Sequence, residues 1–100
     1  MHVISKKALR DFWLKHPAAK VRLETWHRVA SSSRFENFSE VKHAFNSADY
    51  VAPYIVFDVG GNHYRIISVA HFNSQRLYIR EVFTHAEYER WSQINRSKRS

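Results

Sequence analysis

The sequence predicts an α+β domain in which an amino-terminal helical hairpin lies on one face of a small antiparallel sheet. Three observations carry that prediction. Apolar residues recur at helical spacing on both sides of Pro17, from Ser5 to about residue 31. Three later runs between Tyr54 and Phe83 alternate at the two-residue period of strands, separated by Gly60-Gly61 and by Asn73-Ser74-Gln75. The last run then passes into Thr84-His85-Ala86-Glu87, a capping box that opens a final helix.

Met1 to Ile4 reads as a short first strand, with Val3 facing opposite to His2 and Ile4. Ser5 is the candidate N-cap of a helix to about His16, whose apolar stripe is Ala8, Leu9, Phe12 and Trp13. Pro17 disfavours helical geometry at His16 and suits the first position of a second helix. That helix carries Ala19, Leu23, Trp26, Val29 and Ala30 inward and ends at Ser31-Ser32-Ser33, with Trp13 and Trp26 as core anchors. The stretch 34–50 is less periodic, but Ser39 to Phe45 suits two helical turns with Val41 and Phe45 inward. Tyr54 to Val59 is the next strand. Gly60 and Gly61, the only glycines, supply the positive φ of a tight hairpin turn. No helix follows them, so they are not a phosphate-cradling loop. His63 to Phe72 and Arg76 to Phe83 complete a three-stranded meander. With the helices under its more apolar face, Arg65, Tyr78 and Arg80 are expected on an open face. Glu81 fits this poorly, because it shares a parity with Leu77 and Ile79; a bulge or an ion pair is needed to accommodate it.

One hundred residues suit a single domain, over 1–95, with a basic polar tail at 96–100. At 44% hydrophobic with 15% aromatic residues, the chain has enough apolar surface for a core without covalent staples. Cysteine is absent, which excludes disulfides and thiolate metal sites and suits a reducing compartment. No apolar run reaches the ~18 residues of a membrane span, and Met1-His2-Val3-Ile4 is too short for a signal-peptide core. A cytoplasmic protein without membrane contact is expected. Sixteen Lys and Arg against nine Asp and Glu give a formal charge of +7 and a pI near 10.1, which suits a polyanionic partner.

Seven histidines invite a metal, but their spacing argues against one. His63 and His71 share a strand face about 26 Å apart at ~3.3 Å per residue, and HExxH is absent. No metal and no other cofactor is expected, and no nucleophile-elbow motif suggests serine catalysis. His85 is the best candidate for proton transfer, since the positive end of a helix dipole favours neutral imidazole. Arg65, Arg80, His85 and Tyr88 together hold the parts for metal-free RNA cleavage. That reaction needs a base for the ribose 2′-hydroxyl, cations for the phosphorane and a proton donor for the leaving oxygen. Tyr88 offers either a proton or an aromatic face for a base. These residues also suit a non-catalytic RNA- or protein-binding module whose basic face only grips phosphate, and the residues alone leave both open.

The segments HVISKKALRDFW, FSEVKHAFNSADYV, NHYRIISVAHF and YIREVFTHAEY together resemble the HigB toxin family, over about residues 1–91. YIREVFTHAEY is the most specific of them. That family belongs to the RelE-like group of type II toxin–antitoxin systems, so the resemblance implies a RelE-like microbial RNase fold. It implies a ribosome-dependent endoribonuclease that cuts translated mRNA without a metal. The partners it implies are the ribosome, mRNA and a HigA-like helix-turn-helix antitoxin, with operator DNA reached only through that antitoxin. By motif position Arg65, Arg80, His85 and Tyr88 carry over as catalytic candidates. Lys42 carries over more weakly as an RNA-binding residue, beside Arg76 and Tyr78 of the third strand. RelE-like toxins differ in which side chain acts as base.

Overall fold

The computed structural model describes residues 1–61 and 63–99, with side chains through Asn95. The side chains of the expected basic tail, 96–100, lie outside the described residues. The order is β1 (His2–Ile4), α1 (Lys6–Lys15), a 3₁₀ turn (Pro17–Ala19), α2 (Lys20–Ser32), α3 (Phe38–Ala44), β2 (Asp49–Val51), β3 (Tyr54–Val59), β4 (Tyr64–His71), β5 (Arg76–Thr84) and α4 (His85–Arg99). The α+β class and the helical hairpin on one sheet face are as the sequence predicts.

Each amino-terminal helix forms for a local reason and buries the stripe read from sequence. On α1, Leu9 and Trp13 are buried, with Phe12 packed beside them. Ser5 has the extended backbone of an N-cap, but its hydroxyl makes no capping bond. Pro17 opens the 3₁₀ turn, and α2 then buries Leu23, Trp26 and Ala30. Trp26 packs edge-on against Phe57 of β3 at 5.1 Å, which fixes α2 on the sheet. α3 starts one residue before the Ser39 expected from sequence, because the Asn37 side chain accepts a bond from the Glu40 amide at 3.0 Å.

The sheet is wider than the predicted meander. It has five strands in the order β1-β5-β4-β3-β2, and β1 runs parallel to β5, so the sheet is mixed. β2 was not legible, since three residues with only Val51 buried show no period. It forms by pairing with β3, Asp49 opposite Val56 and Val51 opposite Tyr54.

One face carries Ile55, Phe57, Val59, Ile66 and Leu77 against α1, α2 and α3. The other face is open only in part. Val51, Val56 and Ile67 form a second, smaller core there, covered by Tyr88 and Trp91 of α4 with Tyr54 and Phe83. The covering helix is possible because β5 changes parity midway. Ile67 pairs with Glu81 and the next residue, Ser68, with Ile79, so Arg80 is the extra residue of a β-bulge. Beyond it Val82 packs with the main core and Phe83 with the second one, the reverse of uninterrupted alternation. The bulge also places Glu81 opposite Ile67, away from the main core, and resolves its awkward parity.

Candidate active site

The tight turn after β3 builds the first half of the site. Gly60 and Gly61 take φ values of 68° and 56°, a left-handed conformation costly for other residues. A Cβ on Gly60 would in addition meet the Tyr64 ring at 3.2 Å. The turn sets the register in which Asp58 faces Arg65 across the hairpin. The Asp58 carboxylate accepts from Arg65 Nε at 2.6 Å.

The second half comes from the β5–α4 joint. The capping box forms as read: the Thr84 amide donates to Glu87 Oε1 at 2.8 Å, and the Glu87 amide to Thr84 Oγ1 at 3.3 Å. The His85 amide donates to the His63 carbonyl at 3.0 Å, pinning the first helical residue to the mouth of β4. His85 and Tyr88 thereby turn back over Arg65. Arg65 NH2 lies 3.4 Å from His85 Nδ1, and its Cζ sits over the Tyr88 ring at 5.1 Å from the centroid. Its NH1 donates to the Tyr64 carbonyl at 3.2 Å.

Arg65, His85 and Tyr88 are thus brought together, with a correction to the expected exposure. Arg65 is 6% exposed, because α4 and Asp58 enclose it. Its guanidinium can only donate, so the shared bond casts His85 Nδ1 as acceptor and directs Nε2–H toward Glu89 Oε1 at 3.4 Å. His85 itself remains about half exposed, as a group that exchanges protons with a substrate must. Tyr88 is stacked on Trp91 at 5.8 Å, and Trp91 meets Tyr54 edge-on at 5.4 Å. This aromatic ladder carries the tyrosine on a fixed support.

The other candidates stand elsewhere. Arg80, on the bulge, is exposed, and its side chain makes no hydrogen bond or ion pair among the described residues. It lines one groove with Tyr54, Glu81 and Trp91, and a second with Lys15, His16 and Glu87 at the foot of α4. Neither groove is lined by Arg65, His85 or Tyr88, so Arg80 stands apart from the cluster and shares only Trp91 and Glu87 of α4 with its surroundings. Lys42 Nζ donates to the Ala48 carbonyl at 2.9 Å, tying α3 to the approach of β2. Arg76 and Tyr78 sit near the start of β5, about 20–26 Å along the strand from Thr84 at ~3.3 Å per residue. They do not join the cluster.

Sequence reasoning missed Asp58, Glu89 and the Trp91–Tyr54 support. Asp58 had a usable signal, since a tight Gly-Gly turn fixes which strand residues face one another. Trp91 had none, because its place depends on the parity change at Arg80.

The comparisons agree with this architecture. Residues 19–91, which contain the whole cluster, match the family model described as the RelE-like toxic component of a toxin–antitoxin system. A RelE-like toxin is therefore the class. Within it the chain belongs to the HigB toxin family. It is 38% identical over 101 aligned positions to the mRNA interferase toxin HigB of Escherichia coli strain K12, covering 98% of this chain and 97% of the relative. The mRNA interferase HigB of Escherichia coli O157:H7 is equally similar. That of Escherichia coli O6:H1 is 30% identical over 102 positions, covering 99% of each chain.

Proposed function

We propose that this chain is an mRNA-cleaving endoribonuclease, the toxin of a type II pair. The observation that carries the proposal is the contact of Arg65 with both His85 and Tyr88 in a HigB-family chain. A module that only grips phosphate would not need a histidine held in one tautomer by a buried arginine. In the proposed reaction His85 Nδ1, released as the Arg65 guanidinium turns to the phosphate, takes the proton of the ribose 2′-hydroxyl, and that oxygen attacks the adjacent phosphorus. Arg65, with Arg80 from the neighbouring groove, stabilises the charge growing on the phosphorane. The bond to the 5′-oxygen then breaks, and Tyr88 supplies its proton. The products are a 2′,3′-cyclic phosphate and a 5′-hydroxyl. Tyr88 is assigned this role through its hydroxyl, since its ring is already engaged by Arg65 and Trp91. Lys42, bound to the Ala48 carbonyl, is assigned no proton transfer.

Cutting of translated mRNA on the ribosome, and neutralisation by a HigA-like helix-turn-helix antitoxin that alone contacts operator DNA, complete the reading. The test is single-turnover cleavage on translating ribosomes in the presence of a chelator, with the product ends mapped. Wild type should leave 5′-hydroxyl ends. His85→Gln should melt like wild type, since the capping box uses Thr84 and Glu87, yet lose about 10²–10⁴ in rate. Near wild-type cutting by His85→Gln would remove His85 as base, and no cutting by wild type would remove the enzymatic reading.

A further inference from the structure

At the far end of β5 from His85, a groove of about 730 Å³ opens between the start of α1, the end of α2 and the β4–β5 turn. Its cations are Lys6 and Arg34, beside the imidazoles of His2 and His27, and among the described residues no carboxylate lines it. The neighbouring lysines of α1 are used differently. Lys7 pairs with Asp11 at 2.7 Å, whereas the Lys6 side chain makes no ion pair or hydrogen bond among the described residues. Arg34 gives only its Nε to Glu36, in an exposed pair at 2.7 Å. Ser31 and Ser33 donate their hydroxyl protons to the carbonyls of His27 and Val29, so the cations carry any grip on an anion. Burial and then the Lys6 charge hold the His27 imidazole below its ordinary range, which agrees with a positive field in the groove.

From His2, on the edge strand β1, the surface turns onto the opposite face of the sheet. His2, Arg76 and His71 are register partners in a row over β1, β5 and β4, and all three are exposed. Tyr78 stands next to them, its ring edge-on to His71 at 5.2 Å. Cations interleaved with planar rings suit single-stranded nucleic acid, which offers phosphates and bases to stack; an acidic peptide needs the charge alone.

We propose that this groove, with the His2–Arg76–His71 row, is a second RNA site that binds backbone phosphate at the end of the molecule opposite the Arg65–His85–Tyr88 cluster. It rests on the RNA-cleaving reading and extends it. The two sites are separated by about 26 Å along β5 at ~3.3 Å per residue, in a molecule whose longest extent is 36 Å. One RNA strand engaging both must run the length of the domain. Arg76 and Tyr78, set apart from the cluster, find their function here.

The test is equilibrium binding of an uncleavable 2′-O-methyl single-stranded RNA across a salt series. Removing two phosphate-binding cations in Lys6→Ala/Arg34→Ala should reduce the log–log salt slope by about 1.4, at ~0.7 per neutralised phosphate. Lys6→Arg/Arg34→Lys should restore it, which separates charge from folding, and Lys7→Ala should match wild type. An unchanged slope in the alanine double variant overturns the proposal. So does a loss that the charge-conserving pair does not restore, or a loss seen for an acidic polypeptide and not for RNA. Wild-type cleavage is measured alongside. A reduced slope with no cleavage supports the groove while the enzymatic reading fails, and cleavage with an unchanged slope removes the groove alone.

Discussion

Replacing Asp58 or Arg65 tests whether the site is held by a buried ion pair. The Arg65 side chain is 7% exposed and that of Asp58 is 29%. Removing one partner of a fully buried pair costs about 3–5 kcal/mol. Because water reaches Asp58, the leftover carboxylate in Arg65→Ala is partly rehydrated, which lowers that cost to about 2–3 kcal/mol. Asp58→Ala takes the carboxylate from a guanidinium water can scarcely reach, so it should cost the more of the two. The double variant should be less destabilised than the sum by about 1–3 kcal/mol, the coupling of contacting residues. For a domain of this size 1 kcal/mol moves the melting temperature by roughly 4–8 °C, so each single variant is easily resolved. Thermal melts of the four-member cycle give the stability terms, and single-turnover cleavage well below each melt gives the chemistry. If Asp58 positions Arg65, folded Asp58→Ala should cut about 10²-fold more slowly, the scale of a misplaced catalytic group. Single-variant costs that add within ~0.5 kcal/mol would refute the coupling, and a wild-type rate in folded Asp58→Ala would refute the positioning.

Trp26→Ala should cost about 3–5 kcal/mol by opening a cavity beneath α2, and toxicity should fall with the folded fraction. Trp26→Phe should be far milder, because the buried Trp26 Nε1 has no hydrogen-bond partner among the described residues to lose; equal melts for the two would refute the packing argument. Deleting Arg80 should be tolerated, with a cooperative melt and lost cleavage. The excision joins Ile79 to Glu81 in the register they already hold with Ser68 and Ile67, whereas deleting Ile79 drives Arg80 toward the core and should unfold the chain. For His27 the folded-state pKa is lowered, by burial first and Lys6 second. The unfolded chain therefore binds more protons below about 6.5, and stability should decline as pH falls from there toward the folded value. His27→Gln should remove that share of the decline, and an unaltered pH profile of the melt would refute it.

The fold was legible where one local rule sufficed. Pro17, the Leu23–Trp26–Ala30 stripe and the Gly60-Gly61 turn each act within a few residues of themselves. Chemistry and period point the same way in each. β1 was read without its partner, which lies far along the chain, and β2 was not read at all, because three residues show almost no period. Val3 needs Leu77 of β5, and Val51 needs Tyr54 of β3.

The site was legible on the same terms up to one residue. Thr84 to Glu87 announces the cap, and the cap commits His85 and Tyr88 to the first turn of α4. Arg65 was correctly placed on their face, but its burial was not, because counting from Arg76 by twos puts Val82 outward and Phe83 inward. The residue that breaks the count is Arg80, an exposed arginine whose side chain is indifferent to which face it joins. The apolar residues on either side are not indifferent: Ile79 and Val82 both belong with the main core, and Phe83 with Ile67 and Trp91. Two core-facing residues three apart in one strand can be satisfied only by an extra residue between them. The bulge that turns Phe83 toward α4 is the same one that leaves Arg80 exposed in the groove it shares with Trp91 of that helix. Covering the second face and presenting a cation in the groove beside Trp91 are therefore one structural event.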